Sequence, residues 1–173
     1  MSLTLPSVSV RAATPQDALL VHALYAATPS YFEIISMPLP TVAEVRRELE
    51  VAAHDERRIT ELLLLPELDA PTSSEFFDTE TSQTAVAFLD LKLDYPEAGD
   101  ATVNLLLVPE PLQNRGIGRR CVDSVEKRYQ GQARRLLASI YGQNPRAVRF
   151  WTSLGYSFAI DAKPVLDWYA KDL

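Results

Sequence analysis

The sequence predicts an α/β protein of the α+β type, one domain in which a mixed sheet carries about four helices. Three observations lead there. The 173 residues fit one domain of ordinary size, long enough to bury roughly 70% of the unfolded chain's surface without metal or disulfide staples. Segments with the periods of strands and helices alternate in the order β-α-α-β-β-β-α-β-α-β-β. No internal repeat and no long linker interrupts them, so the domain takes in residues 7–173, with 1–6 a short N-terminal extension.

Each element has a local cause. Val8, Ser9, Val10 and Arg11 alternate as a short strand does. Thr14-Pro15-Gln16-Asp17 then opens a helix, with Thr14 as N-cap, Pro15 in the first turn and an acid beside the positive helix end. Leu20, Ala23, Leu24 and Ala27 form its apolar face, and Thr28-Pro29 ends it. Thr41-Val42-Ala43-Glu44 is a capping box that starts a second helix, running to about Ala53. Residues 59–65 form an apolar strand, whereas 66–83 are polar, acidic and rich in Ser and Thr, the composition of a surface loop. Residues 85–93 and 102–108 read as two strands whose short link favours an antiparallel pair.

Gly116 opens a third helix with Ile117, Cys121, Val122, Val125 and Tyr129 on one face. Residues 136–141 are a strand. Asn144-Pro145 starts a fourth helix, whose Ala147, Phe150, Trp151 and Leu154 follow the i, i+3, i+4, i+7 spacing, and Gly155 ends it. Short strands near 157–160 and 165–170 close the chain.

Composition narrows the function classes. A net charge of -6 and a pI near 4.9 speak against a general nucleic-acid or anionic-membrane binder. No apolar run approaches the ~20 residues of a membrane span, and the N-terminal residues lack the pattern of a signal peptide, so a cytoplasmic location is expected. A single cysteine, Cys121, leaves no internal disulfide framework and no Cys-rich zinc site. Charge is unevenly placed: residues 113–135 hold seven arginines and lysines against two acids, while 59–91 hold seven acids and no base. One basic focus in an acidic protein suggests one anionic ligand held in one place.

The chemistry-bearing motif is Gln113-Asn114-Arg115-Gly116-Ile117-Gly118, between a strand and a helix. Such a junction aims unpaired backbone N–H groups and the positive end of the helix dipole at one spot, where a phosphate binds well. Arg115, Arg119 and Arg120 add charge suited to a polyphosphate. Alternatively, Gly116 and Gly118 only shape a tight turn and the arginines form a solvated helix face. No Gly-Lys-Ser/Thr follows and the third glycine of a dinucleotide fingerprint is missing, which excludes both of those phosphate motifs.

These six residues resemble the Gln/Arg-x-x-Gly-x-Gly/Ala signature of the GNAT N-acetyltransferase superfamily. A second match lies downstream, where Asn144, Ala147 and Phe150-Trp151-Thr152-Ser153-Leu154-Gly155-Tyr156 are similar to the family's Asn-x-x-Ala-x-x-Phe-Tyr-x-x-Leu-Gly-Phe segment. The resemblance, which covers roughly residues 7–173, implies a mostly antiparallel sheet whose central strands splay like a V. It implies acetyl-CoA as co-substrate, with the diphosphate on the turn amides from Gln113 to Arg119 and the pantetheine arm beside Leu106, Val108, Asn144 and Trp151. A backbone N–H near Leu106 would polarise the thioester carbonyl. An amine of a small molecule or peptide would then attack it directly, in a monomer or homodimer that uses no metal. The alternative reading keeps the fold and the acyl-CoA but not the catalysis.

The departures from the family pattern concern catalysis. Where many members place a tyrosine as general acid, this chain has Trp151, a packing residue beside the cofactor. Tyr141 is the substitute donor, its alternative being packing at a strand end. Thr102 stands where some members carry a glutamate, leaving Asp100, Glu97 or Glu33 as carboxylates able to take a proton. Tyr31, Phe32 and Glu33 lie where the resemblance places acceptor contacts. The acids of 66–83, with Glu97 and Asp100, favour a cationic amine. His22 and His54 have no partner at ligand spacing and read as surface or packing residues, and Cys121 as a buried inert thiol.

Overall fold

The structure of the chain, a computed structural model, describes residues 7–66, 74–163 and 166–173, with the backbone alone at Ser74 and over 160–163 and 166–168. The expected N-terminal extension, 1–6, lies outside the described residues. Among the described residues eight strands form one sheet: β1 (Ser9–Ala12), β2 (Arg58–Leu65), β3 (Phe77–Asp78), β4 (Gln83–Leu93), β5 (Asp100–Leu107), β6 (Arg135–Tyr141), β7 (Ser157–Lys163) and β8 (Leu166–Asp172). The path through it is β1-β2-β4-β5-β6-β8-β7, with β3 paired to β4. All of these strand pairs are antiparallel except β5 with β6, which the intervening helix makes parallel.

The helices are α1 (Ala18–Ala26), α2 (Pro29–Ile34), α3 (Val42–Ala53), α4 (Ile117–Tyr129) and α5 (Pro145–Ser153). The α3 capping box forms as the sequence predicts, Thr41 Oγ1 accepting from the Glu44 amide and Glu44 from the Thr41 amide. The stretch after Thr14 begins as a 3₁₀ turn, Pro15–Asp17, before α1. Thr28-Pro29 ends α1, but the same proline starts α2, because at N1 its missing N–H and fixed φ cost nothing. The sequence reading took only the stop from this proline.

Strand alternation sorts the faces. Arg58, Thr60, Phe88 and Asp90 point toward Val21 and Tyr25 of α1 and Val45 and Leu49 of α3. Glu61 points to the opposite face, where Arg128 of α4 holds its carboxylate at 2.7 and 2.8 Å. The core between these layers includes fully buried Leu24, Leu62, Leu89, Leu91 and Leu136.

The parallel β5–β6 ladder runs only from Asp100 opposite Arg135 to Val103 opposite Ala138. The cause sits on the other edge of β5. Leu91 pairs with Val103 and Asp90 with Leu105, so Asn104 is an extra residue, a β-bulge. A bulge bends its strand and increases the local twist, and from Asn104 onward β5 leaves β6. The other end of the ladder is clamped. Asp100, fully buried, accepts from Arg135 Nε and Nη2 and from Arg134 Nη2, each at 2.9 Å.

The segment read as a surface loop is ordered differently. Residues 67–73 lie outside the described residues, but Ser74–Phe76 form a turn that buries Phe76, and β3 follows on β4. Asp78 of β3 takes Arg11 Nε at 2.9 Å and Nη2 at 2.8 Å, and Asp17 shares the same guanidinium. That arginine holds the Asp78 carboxyl down at about 2. The composition signalled solvent; the buried Phe76 and the Arg11 cation draw this part of the segment onto the sheet instead.

Candidate functional site

Where β5 and β6 diverge, a cavity of about 750 Å³ opens, a size proper to a ligand site. Leu106, Leu107 and Val108 form one wall and α5 the other, while α2 lies alongside. At its end is the turn from β5 into α4. Pro109 and the 3₁₀ turn Glu110–Leu112 lead in, and Gln113 Nε2 donates to the Val108 carbonyl at 2.7 Å, tying the turn to its strand. Asn114 and Gly116 take φ of 60° and 76°, and left-handed Gly116 caps α4. The Arg120 amide is the one that reaches back to the Gly116 carbonyl, so those of Ile117, Gly118 and Arg119 have no intrahelical acceptor. With the helix dipole behind them they form an anion cradle.

Gly118 has a steric reason to be glycine. A Cβ there would stand 3.1 Å from the Phe150 ring, so the bare backbone is what lets α5 close over the start of α4. Across the cavity Asn144 caps α5, its Oδ1 accepting from the Ala147 amide at 3.0 Å. Trp151 is buried edge-on against Phe150 and Tyr156.

The six-residue α2 bridges the two arms of the opening. Glu110, in the turn after β5, accepts from the Ser30 amide at 3.0 Å and the Ser30 hydroxyl at 2.5 Å, and donates its own N–H to the Ala27 carbonyl. Those Ser30 bonds hold the Glu110 carboxyl below the usual range. At the far end of α2 the Ile34 carbonyl lies 2.9 Å from where a Cβ of Gly142, just past β6, would stand. Ser30, Tyr31 and Ile34 face the large cavity. Phe32 and Glu33 face a second one of about 320 Å³, together with Tyr25, Met37 and Leu39.

The structure brings together Leu106, Val108, Gln113, Asn114, Gly116, Gly118, Arg119, Asn144, Trp151 and Tyr31 around one cavity. Arg115, Ile117, Tyr141, Phe32 and Glu33 are not among its lining residues. Ile117 is a buried core residue through its side chain, and Tyr141, at the end of β6, is 38% exposed. Burial raises the phenols of both Tyr31, to about 12, and Tyr141, so each keeps its proton at neutral pH.

Two expectations about charge need correction. Asp100 and Glu97 are neutralised by Arg134 and Arg135, so neither is a free carboxylate at the opening. Thr102 is fully buried and donates to the Tyr95 carbonyl, a structural role. The basic focus also narrows, because Arg128, Arg134 and Arg135 serve ion pairs elsewhere while Arg119 lines the cavity. Two cavity-lining arginines outside that stretch, Arg146 and Arg149, were missed. Their spacing of three on the helix after Asn144 was the available signal. His54 Nδ1 bonds the Glu50 carbonyl, and burial pushes the Cys121 thiol up to about 12. Among the described residues no helix is long and apolar enough to cross a membrane.

Comparison with known proteins agrees with this geometry. The family model of the acetyltransferase (GNAT) family matches residues 39–156. An acetyltransferase from Thermus thermophilus is 37% identical, with a TM-score of 0.83 over 98% of this chain and 99% of that one. The PaiA N-acetyltransferase from Thermoplasma acidophilum, solved in complex with coenzyme A, has a TM-score of 0.63 at 14% identity, over 97% of this chain and 100% of that one. AAC(6')-Ib in complex with ribostamycin and coenzyme A has a TM-score of 0.72 at 12% identity, over 96% and 94%. A search of curated proteins by sequence found no match. With the two motifs, the diverging parallel pair and the amide-rich turn in the family's order, the chain belongs to the GNAT acetyltransferase family.

Proposed function

We propose that the protein moves an acetyl group from acetyl-CoA to a primary amine by direct transfer. The observation that carries this is the Asn104 bulge, which ends the β5–β6 ladder and opens a cavity leading to the unpaired amides at the start of α4. The diphosphate lies on the turn from Gln113 to Arg119, including Asn114, Arg115, Gly116, Ile117 and Gly118. The pantetheine arm follows Leu106 and Val108 on one side and Asn144 and Trp151 on the other. On the β6 edge β5 has no ladder partner beyond Val103, which leaves backbone groups there for the arm.

In the reaction the neutral amine attacks the thioester carbon, with a backbone N–H near Leu106 holding the carbonyl oxygen. The C–N bond forms, the C–S bond breaks, and the leaving thiolate takes a proton while the new ammonium gives one to water. Two phenols near the opening supply the donor: Tyr141, and Tyr31, which lines the cavity itself. Tyr31 on α2, which lines the cavity, contacts the acceptor, while Phe32 and Glu33 face the second cavity. Release of free thiol from acetyl-CoA, measured over a panel of small-molecule and peptide amines, tests the reading. Binding of CoA without thiol release from any amine would instead support a non-catalytic acyl-CoA module, which the tryptophan at position 151 favours.

A further inference from the structure

The large cavity differs in charge from the rest of the molecule. The protein carries -6 overall, yet among the described residues lining the cavity there are three arginines, Arg119, Arg146 and Arg149, and no carboxylate. Elsewhere Arg11, Arg58, Arg128, Arg134 and Arg135 are each held in an ion pair. Arg119, Arg146 and Arg149 have no ion pair and no side-chain hydrogen bond among the described residues. Arg146 adds to the field that lowers the Glu110 carboxyl, but that carboxylate is taken by Ser30.

Position separates the three. Arg119 is on the first turn of α4, beside the free amides, and belongs with an anion seated there. Arg146 and Arg149 come from α5 on the opposite wall, three residues apart, with Ser153 four further on. That spacing makes one row along the helix. All three of that row are exposed, whereas Ala147, Trp151 and Leu154 of the neighbouring row turn inward, so the arginine row forms the rim. Two unpaired guanidiniums across from an anion cradle are more cation than one diphosphate on that cradle requires.

We infer that Arg146 and Arg149 form a second anion subsite, one that reads a terminal phosphomonoester of the donor nucleotide, the 3′-phosphate of CoA. This rests on the acyl-CoA reading of the cavity and goes beyond it, because it makes the donor specific for the 3′-phosphorylated nucleotide. A phosphomonoester near neutral pH carries most of two charges and three acceptor oxygens, which suits two guanidinium forks better than one.

The test compares CoA with 3′-dephospho-CoA by titration calorimetry at low salt, in the wild-type chain, in Arg146→Gln/Arg149→Gln and in Arg119→Gln. Expected is a preference for CoA of about tenfold or more in the wild type. The α5 double variant should lower CoA affinity to that of dephospho-CoA while leaving the latter within twofold, which also shows that the variant is folded. Arg119→Gln should weaken both ligands by similar factors. Equal affinity of the two ligands in the wild type, or a preference that survives in the double variant, overturns the subsite. Failure of the wild-type chain to bind either ligand overturns the donor reading itself.

Discussion

Replacing Asp100 by alanine should cost about 3 kcal/mol of stability, and the clamp geometry sets both that size and its pH dependence. Asp100 is fully buried and accepts three charge-assisted bonds, two of them from Arg135, whose side chain is only 19% exposed. Arg134 is 55% exposed, so its share is screened and counts for little. Removing the carboxylate strands the Arg135 cation, a loss of about 3–5 kcal/mol for a buried pair, and the lower end applies because Arg135 retains some water. In a chain of this size about 3 kcal/mol lowers the melting temperature by roughly 6–12 °C. Burial raises the Asp100 pKa, but the bonds from Arg135 and Arg134 outweigh it, and the net shift is downward. A depressed folded-state pKa means stability that is present above the unfolded value of about 3.9 and lost as pH falls through the folded one. The gap between wild type and Asp100→Ala should therefore be constant from pH 5 to 8 and narrow below about pH 4. Thermal melts across that range check it. A loss under 2 °C, or a gap that widens in acid, would refute the stranded-cation argument.

If the turn holds the diphosphate, Gly118→Asp should abolish the CoA-induced rise in melting temperature, since its side chain meets Phe150 and its charge would oppose that anion; an undiminished rise would show that the turn is not the anion site. If a phenol protonates the leaving thiolate, Tyr31→Phe or Tyr141→Phe lowers kcat by ~10²-fold with CoA affinity nearly unchanged. Trp151→Phe should keep CoA affinity within a few fold, because position 151 packs against Phe150 and Tyr156; complete loss of turnover in a folded variant would contradict that role. Arg11→Met should lose roughly 2 kcal/mol at neutral pH, a loss that shrinks as pH falls from about 4 toward 2 and Asp78 protonates. Cys121, fully buried and with its thiol pushed up to about 12, should resist alkylation in the native protein and react on unfolding.

What was legible in the sequence was what local chemistry determines. Thr41 and Glu44 start α3, Asn144 and Pro145 start α5, and the left-handed Gly116 marks the start of α4, because each acts on backbone within a turn of itself. What was not legible depends on distant partners. Asn104 looks like one polar residue in an apolar strand; only its register against Asp90 and Leu91 shows the bulge that opens the cavity. Asp100 and Asp78 look like free acids until Arg135 and Arg11, 35 and 67 residues away in sequence, reach them. Arg146 and Arg149 are ordinary surface charges until the fold sets α5 across from the turn at Gly116.

The short helix α2 separates two compartments that can be altered independently. Its 3.6-residue period turns Ser30, Tyr31 and Ile34 one way and Phe32 and Glu33 the other, while Glu110 bonds one end and Gly142 leaves room for the other. Changes at Glu33 or Ser36 can therefore reshape the smaller compartment without touching the residues that border the larger, whereas Phe32 packs on the ring of Tyr31 and couples the two. Recoding Glu33 and Ser36 therefore changes the smaller compartment and leaves the larger one as it is. A library confined to those two positions keeps the larger cavity constant, so whatever differences it yields trace to the smaller one.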